Sequence, residues 1–185
     1  MRIILLLITC FLIAACTQTH TPPVQVTYGE HQSLYFTGRG SAAGIMMDTY
    51  MGGAGIAIGI AIDEGIAKDI SAAILASNPG FSMDTLVRDV LREKVKQGMN
   101  VNGLTSVVIV KYGFQAAPDD KVVPLVVLQL NCESAAIPVI EFISDEKEKA
   151  IPFEQSKTDG ALVEKLLRDT TGELLGMYNS CKGDV

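Results

Sequence analysis

Residues 38–77 read GRGSAAGIMMDTYMGGAGIAIGIAIDEGIAKDISAAILAS, and this stretch decides the fold of the chain. Small residues recur in it at every fourth position. The rows are Gly40-Gly44-Asp48-Gly52, Gly55-Gly59-Asp63-Ala67-Ser71 and Ala57-Ala61-Gly65. Because four residues are close to one turn of an α-helix, each row predicts a flat stripe along a helix, which lets another backbone approach closely.

The continuation of this stretch favours a helix over a strand. The segment GIAIGIAI at 55–62 alternates with period two, so it also fits a strand with its isoleucines on one face. Further along, isoleucines recur every four residues, at Ile62, Ile66, Ile70 and Ile74. We therefore predict one long helix. Each glycine costs about 1 kcal/mol relative to alanine in a helix, so a packed neighbour must offset that loss.

The four-residue spacing resembles a glycine zipper, a repeat of membrane-associated and oligomerising helices. The resemblance implies that Gly55 and Gly59 are helix-contact residues. Three roles stay open for the stripe, namely packing inside the domain, contact with a second copy, and insertion into a bilayer. The uninterrupted apolar part runs only from 51 to 62, which is shorter than the about 20 residues of a membrane-spanning helix.

The N-terminus carries a second apolar run, which follows Arg2 and ends at Cys16. Its length fits the apolar core of a signal peptide and is too short for a spanning helix. The stretch Ile13-Ala14-Ala15-Cys16 resembles the lipobox of bacterial lipoproteins. The resemblance implies cleavage before Cys16 and attachment of diacylglycerol and a fatty acid such as palmitate to that residue. Because two or more acyl chains give stable membrane attachment, we expect a lipid-anchored protein.

The residue after the lipobox bears on location. Asp at that position resembles an inner-membrane retention signal, and this chain has Thr17 instead. We therefore expect the periplasmic face of the outer membrane, with the inner membrane as the less favoured alternative. The predicted organisation is a signal peptide at 1–15, a lipid-anchored polar tether at 16–33 and a single periplasmic domain at 34–185. Part of the tether, Val24 to Tyr28, alternates in polarity and alternatively fits an edge strand.

The lipoprotein resemblance also constrains the cysteines. Cys10 would leave with the signal peptide and Cys16 would be acylated, so Cys132 and Cys181 remain in an oxidising compartment. We predict a disulfide between these two residues, with two unpaired buried thiols as the alternative.

The remaining pattern predicts an α+β fold. An amphipathic helix is expected at 82–98, three antiparallel strands at 104–114, 121–132 and 136–144, and a final helix at 158–178. This order suggests a two-layer domain in which a small antiparallel sheet carries about three helices on one face.

Composition narrows the possible functions. Of the 15 Lys and Arg residues Arg2 lies in the signal peptide, which leaves 14 against 21 acidic residues in the mature chain. Without a basic stripe, nucleic acid is not an expected partner. The only histidines, His20 and His31, lie in the predicted tether, and the sequence has no nucleophile-elbow or phosphate-loop motif. We therefore predict no catalytic residue, no metal site and no cofactor.

Four acidic residues adjoin the small-residue rows, at Asp48, Asp63, Glu64 and Asp69. A carboxylate in apolar surroundings can have a raised pKa and a functional role. We favour the simpler interpretation that each is a solvent-facing or capped carboxylate.

The sequence as a whole predicts a non-enzymatic, membrane-anchored lipoprotein of the bacterial envelope with an accessory or structural role. Its expected partners are the membrane, through the lipid anchor, and an envelope protein, and a homo-oligomer is an open possibility. One alternative is an oligomerising or membrane-active glycine-zipper protein. Another is a periplasmic hydrolase or ligand carrier.

Overall fold

A computed structural model describes residues 24–133, 139–143, 149–178 and 181. The predicted signal peptide, the lipobox and the first part of the tether lie outside the described residues. In chain order the elements are β1 (Gln25–Tyr28), β2 (Tyr35–Thr37), α1 (Arg39–Met51), α2 (Gly53–Ser77), α3 (Met83–Lys96), β3 (Leu104–Ala117), β4 (Lys121–Cys132), β5 (Val139–Ile143), β6 (Ile151–Pro152), α4 (Phe153–Thr158) and α5 (Gly160–Gly176).

The strands form one mixed sheet built around the long hairpin of β3 and β4. Strands β5 and β6 pair antiparallel with β4, whereas β1 and β2 pair parallel with β3. The α+β class is therefore confirmed, but an entirely antiparallel sheet is wrong for the first two strands. The reason is that three helices separate β2 from β3, and a helical crossover returns the chain parallel to the strand it left.

Because β1 belongs to the sheet, the folded domain begins before residue 34, its predicted start. Residues 25–28 pair with residues 106–109 of β3, and Val26 is buried in the core. The tether boundary at residue 33 is therefore wrong, and the edge-strand alternative for Val24 to Tyr28 is confirmed. Only residues 17–24 remain between Cys16, the predicted lipidation site, and β1.

The predicted long helix is two helices. It breaks at Gly52, whose φ of 60° is a left-handed conformation that glycine adopts without steric cost. Helix α1 packs along the N-terminal half of α2, so the two form a hairpin. The helix prediction for 55–62 is confirmed and the strand alternative is wrong, while the expectation of one continuous helix is wrong. The glycine rows fit both a straight helix and a hairpin, so local spacing could not distinguish them.

Helices α2, α3 and α5 build the core together with the sheet. The C-terminal half of α2 contributes Ile70 and Ile74, which are almost fully buried. They belong to the same cluster as Val87, Val107, Ile109, Leu128 and Leu167. The final helix predicted at 158–178 is confirmed as α5, which begins at Gly160 because Asp159 caps its N-terminus by accepting a 3.0 Å hydrogen bond from the N–H of Leu162. The short helix α4 before it was not predicted.

A disulfide joins Cys132 to Cys181, with the sulfur atoms 2.00 Å apart. The predicted pair is therefore confirmed. It ties the end of β4 to the segment that follows α5. The hydroxyl of Tyr178 donates a 2.8 Å hydrogen bond to the sulfur of Cys181 inside this buried corner.

Candidate functional site

The most unusual feature of the molecule is the apolar hairpin, defined as residues 39–62 of α1 and α2. Its two arms touch through glycines, with Gly40 and Gly44 on α1 facing Gly55 and Gly59 on α2. A Cβ atom on Gly59 would overlap the carbonyl oxygen of Gly40, and one on Gly44 would lie 3.0 Å from the carbonyl oxygen of Gly55. The predicted contact residues Gly55 and Gly59 therefore do make a helix contact, and it is a contact within the chain.

Asp63 continues the glycine stripe by one turn and closes the base of the apolar hairpin. Its buried carboxylate accepts hydrogen bonds from the backbone N–H groups of Gly40 (2.7 Å), Gly38 (3.2 Å) and Ser41 (3.2 Å), and from the Ser41 hydroxyl (3.1 Å). The first N–H groups of a helix have no partner within it, and a negative charge there is favourable. Asp63 of α2 is thus the cap that α1 does not obtain from Gly38, the residue at its own N-cap position.

The other three acidic candidates have different environments. Glu64 and Asp69 are exposed, and Asp48 is half-buried beside Gly55 near the tip of the apolar hairpin. The capping interpretation is therefore confirmed for Asp63. The sequence signal for that role was the place of Asp63 in the glycine row, because a residue of that row must face the opposite arm.

Arg39 attaches the base of the apolar hairpin to the body, which is the rest of the folded domain. It forms an ion pair with Asp120 in the turn after β3, and its guanidinium carbon lies 3.5 Å from the centre of the Phe153 ring. The Phe153 ring in turn packs against Phe36, with 6.1 Å between ring centres. These contacts hold α1 at one end of the sheet.

The apolar hairpin extends beyond that end of the sheet. Gly38, at its base, lies against Ala116 near the end of β3. Further along α2, Ala67 and Ser71 line a groove with Leu34, which precedes β2. Helix α2 therefore runs antiparallel to β2, and its N-terminal part projects past the turn between β3 and β4.

The outer surface of the apolar hairpin is exposed and apolar. Its large exposed side chains are Ile45, Met46, Met47, Tyr50, Met51, Ile56, Ile58, Ile60 and Ile62. Tyr50 is 91% exposed, and Met46 is 75% exposed. Between residues 40 and 62 the sequence has one charged residue, Asp48. Together these side chains expose on the order of 1,000 Å², which exceeds the about 300–600 Å² of the largest apolar patch on a typical monomer.

A second concave site lies between α3 and α5. This groove has a volume of about 310 Å³, and it is lined by residues that include Glu93, Lys94, Lys149, Arg168 and Glu173. Lys149 is ion-paired with Glu173 at 2.6 Å, and Arg168 with Glu93 at 3.6 Å. The groove is where a ligand-carrier function would act, but its charges largely neutralise one another.

A pair of tyrosines, of which Tyr112 is buried and Tyr28 is half-buried, links β1, β3 and α3. The ring centres of Tyr28 and Tyr112 are 6.3 Å apart, and the Tyr28 hydroxyl accepts a 3.2 Å hydrogen bond from the N–H of Asp84. Burial raises the pKa of Tyr112 to about 12, and the charges of Tyr28 and Asp84 act in the same direction. Both rings serve the core, and the sequence did not indicate their pairing because it depends on the parallel contact between β1 and β3.

Comparisons with protein-family models, with curated proteins and with solved structures gave no match to this chain. Within the part of the chain that the structure describes, no helix combines the length and the apolar character needed to cross a membrane. The same residues contain no group of three or more His, Cys, Asp or Glu side chains placed to hold a metal ion.

Proposed function

We propose that the protein is a non-enzymatic lipoprotein of the bacterial envelope, held by Cys16 at the periplasmic face of the outer membrane, and that it works through contacts made by the apolar hairpin. The observation that carries this proposal is the exposure of the hairpin's outer surface. An apolar patch of this size marks a protein or membrane interaction site. In water it would promote aggregation, so a partner or a membrane must cover it.

The construction of the apolar hairpin supports a contact function. The Asp63 cap and the Arg39 ion pair fix the base of the hairpin. The glycine seam, formed by Gly40, Gly44, Gly55 and Gly59, fixes the distance between its arms. A surface that is already ordered loses little conformational entropy when it is covered. Its outward side chains are mainly aliphatic residues and methionines, which suit burial against an apolar partner.

Methionine oxidation tests whether this surface is covered. Met46 and Met177 are similarly exposed in the isolated chain, at 75% and 60%, and Met177 lies on the body at the end of α5. Isolated envelopes would be treated with a water-soluble oxidant, and sulfoxide formation would be followed by mass spectrometry. We expect Met46 to react several-fold more slowly than Met177, because accessible thioethers are oxidised faster. Equal rates in envelopes would contradict the proposal.

The lipid anchor needs a separate measurement. Mass spectrometry of the N-terminal fragment from membrane-purified protein should show acyl chains on Cys16. A fragment that still begins at Met1, or that carries an unmodified Cys16, would exclude the lipoprotein assignment.

A further inference from the structure

We infer that the apolar hairpin inserts into the acyl interior of the leaflet that holds the Cys16 anchor, as a second membrane attachment. The identity of that leaflet depends on the proposed function. The insertion itself rests on the geometry of the apolar hairpin.

The first argument is the distribution of apolar groups around α2. Every residue of 53–62 except the two seam glycines is exposed, and Ile56, Ala57 and Ile58 point to three successive directions around the helix. A protein docked on one side would leave the other sides in water. Lipid surrounds an inserted element, so it covers all of them, and a helix that is apolar all round requires such burial.

The second argument is length. At 1.5 Å per residue, segment 53–62 is about 15 Å long. One leaflet contributes about half of the roughly 30 Å hydrocarbon core. The apolar hairpin therefore fits one leaflet, which agrees with the finding that no described helix is long and apolar enough to cross the membrane.

The third argument is that both arms change from apolar to charged at the same level. The hydrogen bond from Gly40 to Asp63 places the start of α1 beside that point of α2. Arg39 precedes Gly40 on one arm, and Glu64 follows Asp63 on the other. This aligned boundary matches the boundary between hydrocarbon and headgroups.

The backbone at the tip is compatible with a lipid environment. The N–H of Gly52 donates to the carbonyl oxygen of Asp48 at 2.9 Å, and the N–H of Gly55 donates to that of Gly52 at 2.8 Å. Backbone N–H and C=O groups in hydrocarbon must form hydrogen bonds within the protein, and these two bonds provide partners for part of the backbone at the tip. Asp48 is the one charge that opposes insertion, and it is half-buried in the seam.

The chain before the domain lets both attachments reach one leaflet. From Cys16 to Gln25, the first residue of β1, the chain makes nine residue steps, which span at most about 32 Å when fully extended. Strand β1 begins opposite Ser106, whereas the base of the apolar hairpin lies against Ala116. At about 3.3 Å per residue these two levels are about 33 Å apart along β3. The two lengths are nearly equal, so both attachments can reach one leaflet when the chain before β1 is close to fully extended or when the strands lean away from the membrane normal.

The absence of tryptophan from the sequence allows a direct test. The full lipidated protein carrying Tyr50→Trp would be reconstituted into phosphatidylethanolamine–phosphatidylglycerol vesicles with brominated acyl chains. We expect blue-shifted emission and several-fold quenching by the bromines. Met177→Trp, on an exposed residue of the body, is the matched control and should be unquenched. Ile60→Trp, at a 55% exposed position, should behave like Tyr50→Trp and serves if that variant misfolds.

Each other outcome has a defined meaning. Unquenched, water-like emission from both hairpin variants would overturn the inference. Blue-shifted emission that resists the bromines and depends on the protein-to-lipid ratio would overturn it in favour of contact with a second copy. Quenching together with an unmodified Cys16 by mass spectrometry would support insertion while refuting the anchor. An acylated Cys16 without quenching would retain the anchor and refute insertion.

Discussion

The carboxylate of Asp63 accepts a 2.7 Å hydrogen bond from the backbone N–H of Gly40, although the two residues lie on different helices. The bond sets the register of α1 on α2, because Gly40 then lies beside Gly59 and Gly44 beside Gly55. It also ends the apolar surface of both arms at one level. Both proposals depend on this relationship.

Replacing Asp63 with Asn should destabilise the apolar hairpin. The variant loses the negative charge and turns one acceptor into a donor, which then faces either the N–H group of Gly40 or the N–H groups of Gly38 and Ser41. Buried hydrogen bonds to a charged group contribute about 1.5–3 kcal/mol, and we expect a loss of that order. Urea unfolding and amide hydrogen exchange at Gly40 would measure it. Glu64→Gln, which changes an exposed neighbour, is the control, and equal effects in both variants would refute the capping role.

Alanine at two glycines of α2 should have opposite effects. Gly59→Ala places a methyl group against the carbonyl oxygen of Gly40, so overpacking should cost about 1–3 kcal/mol. Gly65→Ala points into open space and should stabilise the helix by about 1 kcal/mol. Thermal unfolding of the two variants in parallel would show the difference. If both variants gain stability, the arms are not in backbone contact.

Removing the disulfide should destabilise the whole domain. The bond links residues separated by 49 positions, and in the chain-entropy model such a loop contributes on the order of 4 kcal/mol. Urea unfolding of the Cys132→Ala/Cys181→Ala double variant would measure the loss. Each single variant also breaks the bond, so it should lose a similar amount. A large difference between the two single variants would instead assign the effect to packing around the buried Cys181.

Stability should fall at high pH because of Tyr112. Its pKa rises from 10.0 to about 12 in the folded protein, so between these values the folded state holds a proton that the unfolded state has lost. The stabilisation is complete below pH 10 and declines as the pH rises toward 12, by on the order of 2–3 kcal/mol. Urea unfolding at several pH values would show this slope. Tyr112→Phe should reduce this slope, and the remainder should come from Tyr28 and Tyr178, whose pKa values burial also raises. An unchanged slope in Tyr112→Phe would reject the assignment.

Local patterns were sufficient for much of the body of this protein. The amphipathic spacing of 82–98 predicted α3, and the β-branched runs at 104–114 and 121–132 predicted β3 and β4. These features are encoded within one turn of helix or one strand, so neighbouring residues specify them. Counting the cysteines that the predicted cleavage and lipidation would leave likewise identified the bonded pair.

The sequence by itself predicted that most of residues 38–77 are helical and that a stripe of their small residues allows another backbone to approach closely. Only the tertiary structure decided that the contact closes a hairpin, that Asp63 caps the opposite arm and that the isoleucines of 56–62 stay exposed while Ile70 and Ile74 enter the core. The physical reason is that a four-residue spacing places residues on one side of a helix without specifying what lies opposite. That choice depends on the reversal at Gly52 and on contacts between residues far apart in the chain.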